Sequence, residues 1–499
     1  MAETFQREIY LFFGFVLLLH IIFHILKHIR SPLLKRKPLP PGPHPWPIIG
    51  NIPHMGKKPH ISMAHVAEVH GPLISLRLGT QLLVIGSSPA AATEILKTHD
   101  RLLSARCVPQ AIPLKGDDLD RLPLIWGSGS GDRWKFLRAL CRAELFTPNA
   151  IESQSTLRER KVNEMLSFLG TNEGKVVNIG EVVFTTVFNT LANLIFSKDF
   201  ISLEDVGPTS GLKGIIWRLM ELGIAPNISD FYPILSGLDL QGLNKEFSEL
   251  INKVYDVWEV LIKERRESRC HDALKQQDFL DAMLANEFAN DQINFLALEL
   301  FAAGTDTITT TVEWAMAELL KNKEVMDKVC EELRREFSQN SITKSSIPQL
   351  QYLDACVKET LRLHPPAPLL LPHRALETCE VMNYTIPKNS RVFVNIWAIG
   401  RDPTIWEDPL LFTPERFLSS NIDFKGQHFE FLPFSAGRRM CPGLPMATRQ
   451  VHLILASLIH SFEWSLPNNE DPALLDMNEK FGITLQKELP LLLIPKQKV

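Results

Sequence analysis

Cysteine is scarce in this chain, and what there is falls into no metal-binding or disulfide pattern. The seven thiols, at positions 107, 141, 270, 330, 356, 379 and 441, include no C-x-x-C pair and make an odd total. That excludes a stapled secreted scaffold and a thiolate zinc site, and it fits a reducing compartment. Strong charge of either sign is missing too, the formal balance being −4 over 499 residues. With no basic field to draw a polyanion, no nucleic-acid partner is expected. Internal repeats, low-complexity linkers and long charge blocks are also absent, so nothing divides the body. At 45% hydrophobic residues, one large domain with one extensive core is expected.

What is present begins with an apolar run at residues 9–26, IYLFFGFVLLLHIIFHIL, which holds no formally charged side chain. Eighteen residues of helix span roughly 27 Å, enough for a bilayer core. No small-residue cleavage site follows, so residues 1–30 are expected to stay as a single-pass membrane anchor. The basic flank of Lys27, Arg30, Lys35, Arg36 and Lys37 places everything after it in the cytosol. Residues 31–51 form a basic, proline-rich hinge, PLPPGPHPWPIIGN at its end, in which prolines fix φ and forbid helix. The remainder, 52–499, reads as one catalytic body. Short strand-like runs occur at 72–78, 82–87, 385–397 and 482–493, and helical periodicity dominates elsewhere, as at 246–264 and 291–322. A mainly α fold with small β-sheets follows.

Four constellations carry chemistry. In FLPFSAGRRMCPG (431–443), one cysteine sits between paired arginines and a Pro-Gly turn. Gly437 and Gly443 permit a close backbone, Pro442 fixes φ beside the sulfur, and N–H groups at the following helix start can donate to it. Arg439 lies two residues before Cys441, placed to meet an acidic group. In KETLRLHPP (358–366), Glu359 and Arg362 share one helix face, and apolar neighbours argue for burial rather than a solvated surface pair. FAAGTDTITTT (301–311) sets Gly, Thr and Asp inside a long helix that they disfavour. In DRWKFLRAL, Trp134 and Arg138 are four apart on one face, in itself an ordinary amphipathic turn.

The spacing Phe434-x-x-Gly437-x-Arg439-x-Cys441-x-Gly443 resembles the haem-binding signature of the cytochrome P-450 family, and the other motifs fall in that family's order. The resemblance covers the chain from anchor to terminus. It implies the P-450 fold, a single large domain behind a transmembrane helix. It also implies haem b with Cys441 as proximal iron ligand, Phe434 packed near the sulfur, and both glycines clearing a planar cofactor. Trp134, Arg138, Arg374 and Arg439 become propionate partners. Glu359, Arg362 and Arg416 (from PERF, 414–417) become a buried triad, and Asp306 with Thr307 an oxygen-activating, proton-delivering pair. Dioxygen, NADPH-cytochrome P-450 reductase and an endoplasmic-reticulum membrane complete the implied setting. Ser435 departs from the glycine usual in plant members, and a local loop adjustment is expected there.

Finer matches, LSAR (103–106), LLLPHRALETC (369–379), NYTIPK (383–388) and KFGITLQKE (480–488), resemble the plant benzylisoquinoline-alkaloid branch. The stretch 70–115 resembles its phenol-coupling members. The implied function is therefore a haem-thiolate oxidoreductase of the monooxygenase family acting on a small aromatic alkaloid. Intramolecular C–C phenol coupling, giving an aporphine or proaporphine, is the leading reaction, and hydroxylation of an N-methylcoclaurine-type substrate is the alternative. A non-catalytic haem-binding protein is the alternative of another class, and Asp306–Thr307 argues against it. Pocket segments are expected at 107–114, 298–303, 367–371 and 481–484. No acid is assigned to a cationic substrate amine.

Overall fold

The computed structural model describes residues 37–204, 211–271, 278–337 and 347–498. The expected anchor at 1–30 and the start of the hinge lie outside the described residues. Among the described residues, one helix is long and apolar enough to cross a membrane, Ile179–Phe196, and 83% of that window is buried inside the protein. It is a core helix.

Helices build most of the body. Those that shape the interior are α1 (Asp132–Cys141), α2 (Ser155–Thr171), α3 (Ile179–Phe196), α4 (Gly211–Ile224), α5 (Leu243–His271), α6 (Asn290–Lys321), α7 (Gln351–Leu363) and α8 (Leu444–Ser461). Helix α3 starts where the Asn178 side chain accepts from the Glu181 N–H, and stops at Ser197, whose φ is 56°. Its residues are buried on nearly every side, as an apolar-all-round helix must be. Helix α6 is the longest at 32 residues, and Gln292 reaches back to accept from the Ala289 N–H at its start. Gly304 lets α6 close on α3, because a Cβ there would meet Leu191 Cδ1 at 2.9 Å.

The largest sheet has five strands: β1 (Leu73–Leu78), β2 (Gln81–Gly86), β3 (Ala105–Arg106), β4 (His373–Arg374) and β5 (Arg391–Val394), in the order β1-β2-β5-β4-β3. The β2–β5 pair is parallel, with Val84 opposite Val392, and the other pairs are antiparallel. Its far edge brings Arg106 and His373, distant in sequence, into register.

Two apolar cores meet along α6. One is aromatic, with Phe301 stacked on Phe188 at 4.6 Å and on Trp258 at 5.4 Å between centroids. Truncating a side chain as buried as Phe301 to alanine costs about 3–5 kcal/mol. The other packs the second half of α6 against α7 and α8. The thiols of Cys107, Cys141, Cys330, Cys356, Cys379 and Cys441 are free.

Candidate functional site

Between the middle of α6 and the start of α8 lies an internal cavity of about 350 Å³. Its walls are mostly aliphatic and aromatic, from α3, α4, α6 and the loops at 112–126 and 366–371. Cys441 stands at its floor. The Cys441 N–H donates to the Phe434 carbonyl at 3.0 Å, closing the loop, and α8 begins three residues later. The thiol has accessible surface and yet is enclosed by protein, because that surface opens onto the cavity and not the exterior. Burial pushes its pKa up, while the Gly443 and Leu444 N–H groups and the Arg138 charge pull the other way.

Three arginines line the same cavity: Arg106, Arg138 and Arg439. Arg439 donates to the carbonyls of Ser104 (2.8 Å), Gly127 (2.7 Å) and Gly129 (2.9 Å), and its guanidinium lies 4.6 Å from the Trp134 ring centroid. Arg106 donates to Ile125 and Leu371 carbonyls, and Arg138 to that of Met440. Every one of these bonds goes to the backbone, and among the described residues none goes to a carboxylate. Burial and mutual repulsion lower Arg106 to about 9 and Arg439 to about 10. Burial, with Arg106 beside it, holds His373 well below the usual imidazole range, so this wall residue is neutral. A cluster of cations with no carboxylate bonded to it among the described residues, beside an enclosed thiol, fits a flat, apolar group that bears carboxylates at one edge and a thiolate-binding metal at its centre. Haem has that chemistry. Cys441 could hold the iron, and Arg106, Arg138 and Arg439 could hold the carboxylates.

Other expected residues fall around this frame. Phe434 and Gly443 line the cavity, and Phe434 packs edge-on to Phe424 at 5.4 Å. Trp134 also lines it, but its indole N–H donates to the Leu124 carbonyl at 2.9 Å. Arg374 lies off the cavity: its guanidinium reaches the Arg106 and Ser128 carbonyls and Asn389 Oδ1 at 3.1–3.4 Å. Gly437 also lies off it. Its φ is 68°, and a Cβ would meet the Leu96 carbonyl oxygen at 2.2 Å, so this glycine serves the docking of the cysteine loop on the 94–98 segment.

Asp306 and Thr307 diverge, as adjacent helix positions do. Thr307 faces the cavity and its Oγ1 donates to the Ala303 carbonyl at 2.8 Å. Asp306 is buried on another face, where Thr484 Oγ1 and Gln486 Nε2 donate to it. Burial raises its pKa, against the pull of those two bonds. Helix α6 stays continuous through the motif.

Glu359, Arg362 and Arg416 come together away from the cavity. Arg362 grips both Glu359 oxygens at 2.7 and 2.8 Å, and Arg416 Nε donates to Oε1 at 3.1 Å. Thr413 N–H adds a fourth bond at 2.8 Å. Arg362 also donates to the Pro409 and Leu411 carbonyls, so this buried pair is fully satisfied.

Two wall residues were not singled out from the sequence, although Glu299 falls inside the expected pocket segment 298–303. Arg106 sits in a two-residue strand with no spacing rule to mark it. Glu299 lies on α6, where it looks like one more helical glutamate. A signal existed: it is an acid two turns before Thr307, on the face that carries Ala303.

Comparison with known proteins agrees with this arrangement. A model of the cytochrome P450 family matches residues 40–494. A probable (S)-N-methylcoclaurine 3'-hydroxylase from Coptis japonica is 50% identical over 489 residues, 97% of each chain. An (S)-N-methylcoclaurine 3'-hydroxylase from Papaver somniferum is 49% identical, covering 93% of this chain and 96% of the relative. Corytuberine synthase from Coptis japonica is 47% identical, covering 93% and 95%. The chain thus belongs to the cytochrome P450 family, enzymes that carry a haem with a cysteine thiolate on its iron.

Proposed function

We propose that this enzyme oxidises an aromatic ring of a benzylisoquinoline alkaloid inside the cavity above Cys441. The observation that carries the reading is the pairing of that largely apolar chamber with relatives named for such substrates at 47–50% identity. When bound, the haem supplies dioxygen activation, with electrons from a reductase partner.

The chain's own residues do the rest. Cys441 would hold the iron, and Arg106, Arg138 and Arg439 would neutralise the carboxylates of the cofactor. Aliphatic and aromatic walls exclude water and position the ring, which is most of what the protein contributes to rate. The Thr307 hydroxyl lies on the cavity side of α6; its proton is donated to the Ala303 carbonyl at 2.8 Å, and turning it from that carbonyl into the cavity would let it relay a proton. Asp306, one face away, shapes that turn through Thr484 and Gln486.

Ring hydroxylation is the first reading of the outcome, because the relatives at 50% and 49% identity bear that name. Intramolecular coupling is the second, supported by corytuberine synthase at 47% and by the 70–115 stretch. Reconstitution with reductase, NADPH and a benzylisoquinoline panel separates them by product mass. Hydroxylation adds one oxygen and coupling removes two hydrogens. NADPH consumption independent of every member of the panel overturns both.

The enzyme works at the cytosolic face of the endoplasmic reticulum in this proposal. Trp46 and Ile48 are exposed beside the segment carrying exposed Ile234 and Leu238, and Tyr232 Oη joins the two by donating to the Ile48 carbonyl at 3.2 Å. An apolar face this close to the expected anchor suits contact with lipid.

A further inference from the structure

The cavity holds one group whose chemistry an aromatic substrate does not use. Glu299 is the sole acid in the lining among the described residues. It is 4% exposed and sits on α6 in the 299, 303, 307 row, on one face with Ala303 and Thr307. Along the helix, Glu299 and Thr307 are roughly 12 Å apart.

We propose that Glu299 is the residue that recognises the substrate's charged nitrogen, its carboxylate pairing with a protonated tertiary amine while the ring to be oxidised lies toward Thr307. The assignment rests on the benzylisoquinoline reading above and deepens it.

Three observations support it. Glu299 accepts from the backbone N–H groups of Leu124 (2.6 Å), Ile125 (3.0 Å) and Trp126 (3.1 Å), which fixes the carboxylate at the cavity wall. A carboxylate has about four acceptor sites, so one remains free. Among the described residues no lysine, arginine or histidine forms an ion pair with it, and its bonded partners are dipoles alone. Burial pushes its pKa up to about 7 in spite of those N–H groups and the Arg439 charge. An acid whose charge burial disfavours, set in an apolar chamber, is the complement of a cationic ligand, which favours that charge on binding. The other acid nearby, Asp306, is turned away onto Thr484 and Gln486.

A purely architectural role for Glu299, tying the 124–126 loop to α6, changes the binding of charged and neutral ligands alike. Recognition of the amine changes only the charged one. The test titrates the haem-loaded full chain, by its absorbance shift, with N-methylcoclaurine and with the neutral N-acetylcoclaurine. Wild type is expected to bind the amine at least about tenfold more tightly. In Glu299→Gln that ratio falls toward one, and Glu299→Asp keeps part of it. A wild-type ratio near one overturns the assignment without any variant, as does a ratio that survives in Glu299→Gln. If neither compound perturbs the wild-type spectrum, the benzylisoquinoline reading fails first and the assignment falls with it. If Glu299→Gln does not take up haem, the wild-type ratio alone decides.

Discussion

Ser435 stands in the cysteine loop with a φ of 62°, the left-handed region in which a Cβ costs about 1–2 kcal/mol. Its hydroxyl is buried at the cavity wall and finds no partner in the protein. Glycine, usual at this position in plant members of the family, suits that backbone without strain. Ser435→Gly is therefore expected to stabilise the haem-loaded enzyme by up to about 1 kcal/mol, since glycine's extra chain entropy offsets part of the relief. The midpoint of Soret loss on heating checks this. A lowered midpoint instead shows that the hydroxyl bonds to the cofactor. The neighbouring arginines obey a different logic, because their charges repel one another until a carboxylate arrives. Arg439→Leu is expected to weaken haem retention severely, by about 1.5–3 kcal/mol for a lost charge-assisted bond, measured as haem transfer to an acceptor protein.

Elements are joined at two buried charge clusters, and each makes a prediction. Glu359 ties the end of α7 to the 409–416 segment through Arg362, Arg416 and the Thr413 N–H. Removing it leaves the buried Arg362 and the partly buried Arg416 short of their anion, so Glu359→Ala is expected to lose about 3–5 kcal/mol, a large share of a domain's stability. The expected outcome on expression is haem-free, aggregated protein. Glu479 links helix Pro59–His70, the end of α7 and the segment after β5: His60 meets it at 3.0 Å, Trp397 Nε1 at 3.1 Å and Arg401 at 3.3 Å. Burial alone raises its pKa, but the nearby His364 at 3.6 Å, the bond from His60 and the Arg401 charge outweigh burial and hold it well below the ordinary 4.5. A depressed folded-state value means the stabilisation is complete above that ordinary value and is lost as pH falls below it. Glu479→Gln is accordingly expected to destabilise at neutral pH and to flatten the acid limb in urea unfolding followed against pH. The cysteine loop, the E-x-x-R pair and PERF were legible in the sequence because each is a local motif with fixed spacing. The helix at 291–322 and the strands at 72–78 and 82–87 were legible from periodicity within a residue or so of their ends, whereas the helix read at 246–264 runs from Leu243 to His271. Asp306 with Thr484, and Glu299 with Leu124, are 178 and 175 residues apart, and such contacts leave no mark on local pattern. The divergence of Asp306 from Thr307 followed from helix geometry, yet the family pairing of the two concealed it.

At the scale of the whole molecule, one body carries a buried chamber, an apolar outer patch and, by expectation, an amino-terminal anchor. Trp46 is 60% and Ile234 92% exposed, an arrangement that water disfavours and a lipid surface accepts. Replacing Trp46, Ile48, Ile234 and Leu238 with serine in a chain starting at residue 37 is expected to reduce flotation with liposomes several-fold while leaving the haem spectrum intact. Equal flotation of both chains removes the patch from the account. The activity, however, depends above all on the thiol at the cavity floor. The most direct test is the absorbance of the reduced, carbon-monoxide-bound full chain, wild type against Cys441→Ser. Wild type is predicted to show the red-shifted Soret band of thiolate-ligated haem, and Cys441→Ser to lose it. A haem-loaded wild type without that band, or a Cys441→Ser protein that keeps it, contradicts the account.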